Sequence, residues 1–292
     1  MGEVEVAADG NAVLGESPVW SPGEAALYWV DINNPTVHRL DPATGGRKRW
    51  FVETEIGSIG LAGPGRLVAG LRTGLHYFDL ETGGIEKICD PEGEGRFNEN
   101  RMNDGKVDRA GRFWVGTMND PGHKPQGTLW RIGADGKAES TMGDIRIPNA
   151  LCWSPDSATM YFTDSYSHRI WAFDFDLEAG TFENKRVFAS IPEDEGVPDG
   201  ATVDEEGFVW CAHMFGGRVS RFAPDGTVDR TIALPVPQVT SCAFGGPELA
   251  TLYVTTASLR MDRAALAEQP LAGALFAADP GVRGLPEPVF GA

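Results

Sequence analysis

The stretch LYWVDINNPTVHRLDPATGG, residues 27–46, contains the pattern that decides the fold. Residues 27–30 are an apolar, aromatic-rich strand pattern, and residues 37–40 are a second one. Residues 41–46 then bring together Asp, Pro, Thr and Gly, which favour tight turns. Two short strand patterns followed by a turn predict part of an antiparallel meander, and helical periodicity is nearly absent from the chain.

This pattern recurs six times along the chain. The first strand of each repeat is centred on Tyr28, Val68, Trp114, Tyr161, Val209 and Tyr253, which are 40, 46, 47, 48 and 44 residues apart. Second strands follow at residues 37–40, 75–78, 129–132, 170–173, 219–222 and 274–277. A repeat of this length with four short strands is typical of a propeller blade. We therefore predict an all-β, six-bladed β-propeller that forms one domain over residues 1–292.

Two local segments complete this prediction. Val4 and Val6 alternate with acidic residues, and we expect them to add an outer strand to the last blade and so close the ring. Residues 262–269 are rich in Ala and predict a short helix inside a loop of the sixth repeat.

Composition excludes several classes of function. The formal net charge of −17, from 42 acidic and 25 basic residues, opposes nucleic acid and anionic membranes as partners. Four well-separated cysteines without a C-x-x-C pair predict reduced thiols. Residues 1–11 carry three acids instead of a basic and then apolar signal peptide, and no stretch approaches the length of a membrane span. These features predict a cytoplasmic protein, which we expect to be a monomer.

Polar residues are predicted to meet at the propeller axis, because the innermost strand of each blade borders the central channel. Counting back about 10 to 12 residues from each strand centre reaches Glu16, Ser58, Asn103, Asn149, Asp199 and Thr240 or Ser241. Two buried carboxylates close together are costly unless a cation neutralises them. Oxygen donors suit Ca²⁺, Mg²⁺ or Mn²⁺, and Zn²⁺ and Fe²⁺ also accept carboxylates. The alternative is a water-filled channel in a propeller that serves as a scaffold.

Several separated motifs bear on this choice. They stand in order as LGESPVW (residues 14–20), RMNDGKVD (101–108), GTM (116–118), IPNAL (147–151), PDG (198–200), TSCAFGG (240–246) and QPLAG (269–273). With these motifs the chain closely resembles the SMP-30/gluconolactonase family, also called the regucalcin family, from about residue 14 to the carboxy terminus. The resemblance implies a sugar-lactone hydrolase with one divalent cation on Glu16, Asn149 and Asp199. It also implies that Asp199 is the general base and that Arg101 and Asn103 contact the substrate.

The loop at residues 118–126 differs from relatives that carry a glutamate soon after the GTM triplet. Asp120 and His123 on this loop are candidates for contacts with sugar hydroxyls. Tyr166, His213 and Phe215 are further candidates, from other loops of the same face.

We therefore expect a metal-dependent enzyme that opens a sugar lactone to the aldonic acid in oxidative sugar catabolism. Two alternatives stay open. The same site can serve an esterase or organophosphate hydrolase, because a Lewis-acidic ion beside a carboxylate is not selective in itself. A non-catalytic calcium-binding regulator is the other, although three side chains are fewer ligands than calcium sensors use.

Overall fold

Six four-stranded antiparallel sheets make up the protein, in a computed structural model that describes residues 4–9, 12–93 and 99–292. The innermost strands are β2 (Gly15–Ser21), β6 (Ile56–Leu61), β10 (Asn100–Val107), β14 (Pro148–Trp153), β18 (Val197–Val203) and β22 (Val239–Gly245). The second strands are β3 (Ala26–Asp31), β7 (Arg66–Leu71), β11 (Phe113–Asn119), β15 (Thr159–Asp164), β19 (Val209–Met214) and β23 (Thr251–Thr256).

The outer half of each sheet continues this order. The third strands are β4 (Thr36–Asp41), β8 (Gly74–Asp79), β12 (Gly127–Ile132), β16 (Arg169–Asp176), β20 (Arg218–Phe222) and β24 (Leu275–Ala278). The outermost strands are β5 (Gly46–Phe51), β9 (Ile85–Cys89), β13 (Ala138–Ile145), β17 (Thr181–Ser190), β21 (Val228–Ala233) and β1 (Glu5–Ala8). Innermost strands of successive sheets contact one another from β2 through to β22, and β22 contacts β2. The six-bladed propeller is therefore confirmed.

The amino-terminal strand closes the ring. β1 pairs antiparallel with β24, with Glu5 opposite Ala277 and Val6 opposite Phe276. The last blade thus joins three strands from the end of the chain to one from its beginning, as the alternation at Val4 and Val6 predicts. The predicted short helix is also present, as α1 (Arg263–Glu268), and the side chain of Asp262 caps it.

The core lies between the faces of neighbouring blades, so the inner strands are buried on both sides. Every residue of β3 is buried, whereas β5, on the outside of the same blade, is exposed except for Trp50. Two buried aspartates recur at equivalent places in blades three and five. Asp108 accepts a hydrogen bond from Trp114 Nε1 and Asp204 accepts one from Trp210 Nε1, both at 2.8 Å. These bonds satisfy the indole N–H groups inside the core.

The carboxy-terminal segment, residues 284–292, crosses the end of the channel opposite the site described below. Gly284 bridges to Asp204 in blade five, and Val289 bridges to Leu61 in blade two. Glu287 lies 3.5 Å from Lys106 Nζ, and the amide of Gly291 donates to the carbonyl of Gly111 in blade three. This segment therefore joins blade five to blades two and three.

Within the described ranges, every helix is too short or too polar to cross a lipid bilayer. The assignment of residues 1–292 to one domain stays a prediction, and residues 1–3, 10–11 and 94–98 of that range lie outside the described part of the chain.

Candidate active site

A cavity of about 310 Å³ opens at one end of the channel and collects most of the predicted site residues. Its polar lining consists of Glu16, Arg101, Asn103, His123, Asn149, Ser165, Tyr166, Asp199 and Arg260. Its apolar lining consists of Leu14, Ile32, Met118, Ile147, Val197, Met214, Phe215 and Leu259. Of the residues predicted for the metal, the chemistry and the substrate, all except Asp120 and His213 line this one cavity.

A register shift in each innermost strand aims the axial side chains. The pairing with the second strand is irregular between Glu16 and Val19, between Met102 and Gly105, between Asn149 and Cys152 and between Pro198 and Ala201. The innermost strands of blades two and six have the same kind of shift. A bulge bends the strand and turns a side chain out of the regular alternation. The shifts therefore place the site residues in the channel instead of between blades.

Not every predicted axial position reaches the cavity. Ser58 is fully buried beside Gly105, outside the cavity lining. Thr240 bonds to the carbonyl of Gly15 and to Thr255, while Ser241 lines a small void on the far side of the axis. Four of the six blades thus supply the polar inner end of the cavity.

A hydrogen-bond network fixes the two axial amides. Asn103 Nδ2 donates to Asn149 Oδ1 at 3.1 Å and to the carbonyl of Pro148 at 2.9 Å. Asn149 Nδ2 donates to Ser165 Oγ at 2.9 Å, and Ser165 in turn donates to the carbonyl of Pro198 at 2.7 Å. Because the Asn149 amide nitrogen is committed to Ser165, the orientation of the amide is fixed, and its oxygen, which accepts one bond from Asn103, can also serve as a ligand.

Arg101 is buried at the cavity wall and is held by its neighbours. Its Nη1 donates to Asn103 Oδ1 at 2.7 Å, and its Nε donates to Asp120 Oδ1 at 2.9 Å. Asp120 also accepts from Arg72 Nη2 at 2.6 Å. A buried guanidinium needs a counter-charge. The carboxylate of Asp120 is thus engaged by Arg101 and lies outside the cavity lining, and its contact with sugar hydroxyls stays a prediction.

In the protein alone, burial raises the pKa of each carboxyl group at the inner end. Burial and the nearby Asp104 raise the pKa of Glu16 to about 8, against a smaller lowering effect of the Ser17 amide and Arg101. Burial, Glu16 and Asp104 raise the pKa of Asp199 well above its ordinary range. Asp104 lies deeper on the axis, where burial raises its pKa as well. Arg101 lowers the pKa of Glu16 and Lys106 lowers that of Asp104, but the raising effect of burial is larger for both carboxyl groups.

A divalent cation fits this set of donors. Glu16, Asn149 and Asp199 offer oxygen atoms only, and a cation restores the ionised state of both carboxylates. Within residues 4–9, 12–93 and 99–292, no group of three or more His, Cys, Asp or Glu side chains has an arrangement suited to a metal. Glu16, Asn149 and Asp199 are not a group of this kind, because Asn149 is an amide. A cation bound among these crowded carboxyl groups would supply the positive charge that they lack.

The mouth of the cavity is built from loops. His123 Nδ1 and the Tyr166 hydroxyl are hydrogen-bonded at 3.1 Å, which joins the 118–126 loop to the short helix after β15. Phe215 is 62% exposed and Tyr166 is 54% exposed, so both present aromatic surface at the opening. His213, predicted as a possible contact on this face, is instead buried outside the cavity lining, and its Nδ1 bonds to the carbonyl of Glu195.

Three functional candidates were missed from sequence. Asp104 follows Asn103 directly and belongs to the RMNDGKVD motif, so its acidic character was visible but its position on the axis was not. Ser165 and Arg260 lie in loops after the second strands of blades four and six, where no repeat pattern marks them. A larger groove of about 600 Å³ lies between the first and last blades, and Asp31 in its lining already accepts hydrogen bonds from the amides of Val13 and Leu14.

Fold and cavity together define a six-bladed β-propeller with a polar, acidic site at its axis. The chain belongs to the SMP-30/gluconolactonase/LRE-like family, whose model matches residues 14–258. It is 39% identical over 282 residues to the 6-deoxy-6-sulfogluconolactonase of Pseudomonas putida, covering 96% of this chain and 95% of that protein. It is 38% identical over 280 residues to regucalcin of Gallus gallus, covering 94% of this chain and 93% of that protein.

A solved structure has the same architecture. The calcium-binding protein regucalcin from Agrobacterium tumefaciens superposes with a TM-score of 0.94 at 28% identity, covering 99% of this chain and 97% of that one. The family and its sulfogluconolactonase member support a lactonase function for this chain.

Proposed function

We propose that the protein is a divalent-metal-dependent hydrolase that opens a sugar lactone to the corresponding aldonic acid. The observation that carries the proposal is the crowding of Glu16, Asp199 and Asp104 at the end of a cavity that also presents Arg101 and Asn103. The name of the Pseudomonas relative supports a lactone as substrate. The cavity volume of about 310 Å³ suits a molecule of one sugar ring.

Glu16, Asn149 and Asp199 would hold the cation, with the amide of Asn149 oriented by Ser165. When bound, a divalent cation supplies Lewis acidity toward an ester carbonyl and lowers the pKa of water near it.

The reaction requires one proton to be moved twice. Asp199 takes a proton from the attacking water as the water oxygen bonds to the carbonyl carbon. The bond between that carbon and the ring oxygen then breaks, and the proton passes from Asp199 to the departing alkoxide. The net change is addition of one water across the ester bond. Arg101 and Asn103 bind and orient the lactone, and Asp120 keeps the guanidinium of Arg101 in place.

Metal removal and a lactone panel test this proposal together. We expect one tightly bound divalent ion per chain, loss of lactone hydrolysis after chelation and recovery on addition of one equivalent of a divalent salt. The measurements are elemental analysis and acid release from five- and six-membered aldonolactones. A metal-free protein with full activity contradicts the metal dependence, and metal-loaded protein inactive on every lactone contradicts the reaction.

The same panel separates the alternatives. Adding simple aryl esters and an organophosphate identifies a hydrolase of broader range, since these substrates lack the sugar hydroxyls that Arg101 and Asn103 are proposed to bind. Calcium binding without turnover of any substrate indicates the non-catalytic regulator instead.

A further inference from the structure

The loop after β23 brings a cation to the mouth of the cavity. Arg260 lines the cavity beside Leu259, whereas Arg263 begins helix α1 and lies outside the lining. Among the residues that the structure describes, Arg260 forms no ion pair and its guanidinium makes no hydrogen bond. An unpaired guanidinium at a cavity mouth is notable in a chain whose net charge is −17.

The backbone that carries Arg260 is firmly held. The side chain of Gln238, which is buried, accepts from the amide of Leu259 at 2.9 Å and donates to its carbonyl at 3.0 Å. Ser258 Oγ donates to the carbonyl of Ala12 at 2.9 Å. Arg260 itself has a φ of 58°, in the left-handed region that a long side chain seldom adopts. Strained residues held by their surroundings are concentrated at functional sites.

Other charges at this end of the protein already have partners. Asp120 pairs with Arg101, and the proposed cation balances Glu16 and Asp199. Between this inner end and the mouth, the walls are largely apolar, with Ile32 and Met214 among them. Among the described residues that line the cavity, Arg260 is thus a charge, besides Arg101, that can face a ligand, and it has no ion-pair partner of its own.

The charge of Arg260 also acts on a neighbouring side chain of the cavity. Burial, followed by the charge of Arg260, lowers the pKa of His123, which also lines the cavity. The side chains of Arg260 and His123 are therefore close enough to interact electrostatically. Because salt screens charges beyond about 8 Å at physiological ionic strength, a ligand in the cavity responds to Arg260 more than to the distant acidic surface.

We propose that Arg260 is a specificity residue that binds an anionic group on the lactone, at the end remote from the reacting carbonyl. A sulfonate, phosphate or carboxylate shares the required chemistry, since each offers oxygen atoms to the forked donors of a guanidinium. The inference rests on the proposed function, and it names the class of substrate: a sugar lactone with an anionic substituent.

The test compares lactones that differ only in that group. Gluconolactone, its 6-phosphate, its 6-deoxy-6-sulfonate and the 6-carboxylate lactone are assayed with the metal-loaded wild type and with Arg260→Gln. We expect the wild type to prefer at least one anionic lactone, and Arg260→Gln to lower the ratio of anionic to neutral kcat/KM by about 10- to 100-fold, chiefly through KM. Arg260→Lys, which keeps the charge but loses the fork, should retain part of the preference. Arg263→Gln, on the same segment, is the matched control and should leave the ratio unchanged.

An unchanged ratio in Arg260→Gln, with neutral and anionic lactones both hydrolysed, overturns this inference and leaves the proposed function standing. If no lactone is hydrolysed, the proposed function fails, and calorimetry then decides the inference separately. In that measurement 6-phosphogluconate should bind more weakly to Arg260→Gln than to the wild type, while equal affinities overturn the inference.

Discussion

At the scale of single residues, the proposed chemistry depends on Asp199. Burial first, and then the charges of Glu16 and Asp104, raise the pKa of its carboxyl. The proposed cation lets it ionise, and the proposed proton transfer uses the same carboxylate. These two roles are separable, because an amide can replace the ligand but not the base. Asn149 already represents an amide among the proposed ligands.

The substitution Asp199→Asn separates them. We expect kcat to fall by about 10² to 10⁴ at saturating metal, the usual contribution of a general base, with the fold unchanged. Stopped assays across a metal titration measure this loss, and circular dichroism checks the fold. Asp225→Asn, in an exposed turn, is the matched control and should keep wild-type kcat. Metal-saturated Asp199→Asn with near wild-type kcat would show that Asp199 only binds the ion.

At the scale of elements, the 118–126 loop supports the site from outside. Its first residues extend β11, and Asp120 then turns back to pair with Arg101 and Arg72. Arg72 also pairs with Glu55, so the contacts run from the loop after β5 to the wall of the cavity. The side chain of Arg101 is only 5% exposed, which makes its counter-charge important.

Removing that counter-charge tests the loop. Asp120→Asn keeps the shape but leaves the buried guanidinium without its carboxylate, so we expect about 1–3 kcal/mol lower stability. We also expect a lower kcat/KM with unchanged metal content, because Arg101 loses its position while the ligands are retained. Chemical denaturation, steady-state kinetics and elemental analysis measure the three effects. Asp135→Asn, whose exposed carboxylate pairs with exposed Lys137, should change none of them. Loss of metal in Asp120→Asn contradicts a role limited to Arg101.

At the scale of the whole molecule, two chain ends hold the ring. β1 completes the last blade, and residues 284–292 cross the channel at the end away from the cavity. Phe290 within this segment is 4% exposed, and its ring lies 5.9 Å from that of Tyr77 in blade two. Its amide donates to the carbonyl of Leu61. The terminal segment therefore packs like core although it belongs to no sheet.

Phe290→Ala tests this contribution. Truncating a buried Phe typically costs about 3–5 kcal/mol, so we expect a clear fall in the free energy of unfolding and in Tm. Phe51→Ala is the matched control, since Phe51 is 65% exposed and its loss should change stability by no more than about 0.5 kcal/mol. Equal stability of the two variants would mean that the terminal segment adds nothing to the ring.

The repeat pattern was enough to predict the six blades and the axial positions of Glu16, Asn149 and Asp199, and the alternation of Val4 and Val6 with acidic residues predicted the closing strand. These features depend on local strand patterns and on regular spacing, which the order of residues carries directly. The remaining features depend on contacts between distant parts of the chain. Two examples are the ion pair of Asp120 with Arg101 and the hydrogen bonds between the Gln238 side chain and Leu259. Both form only when segments from different strands meet. Strand spacing also cannot show which axial side chains a bulge turns into the channel, so Ser58 and Thr240 were predicted there but are packed elsewhere.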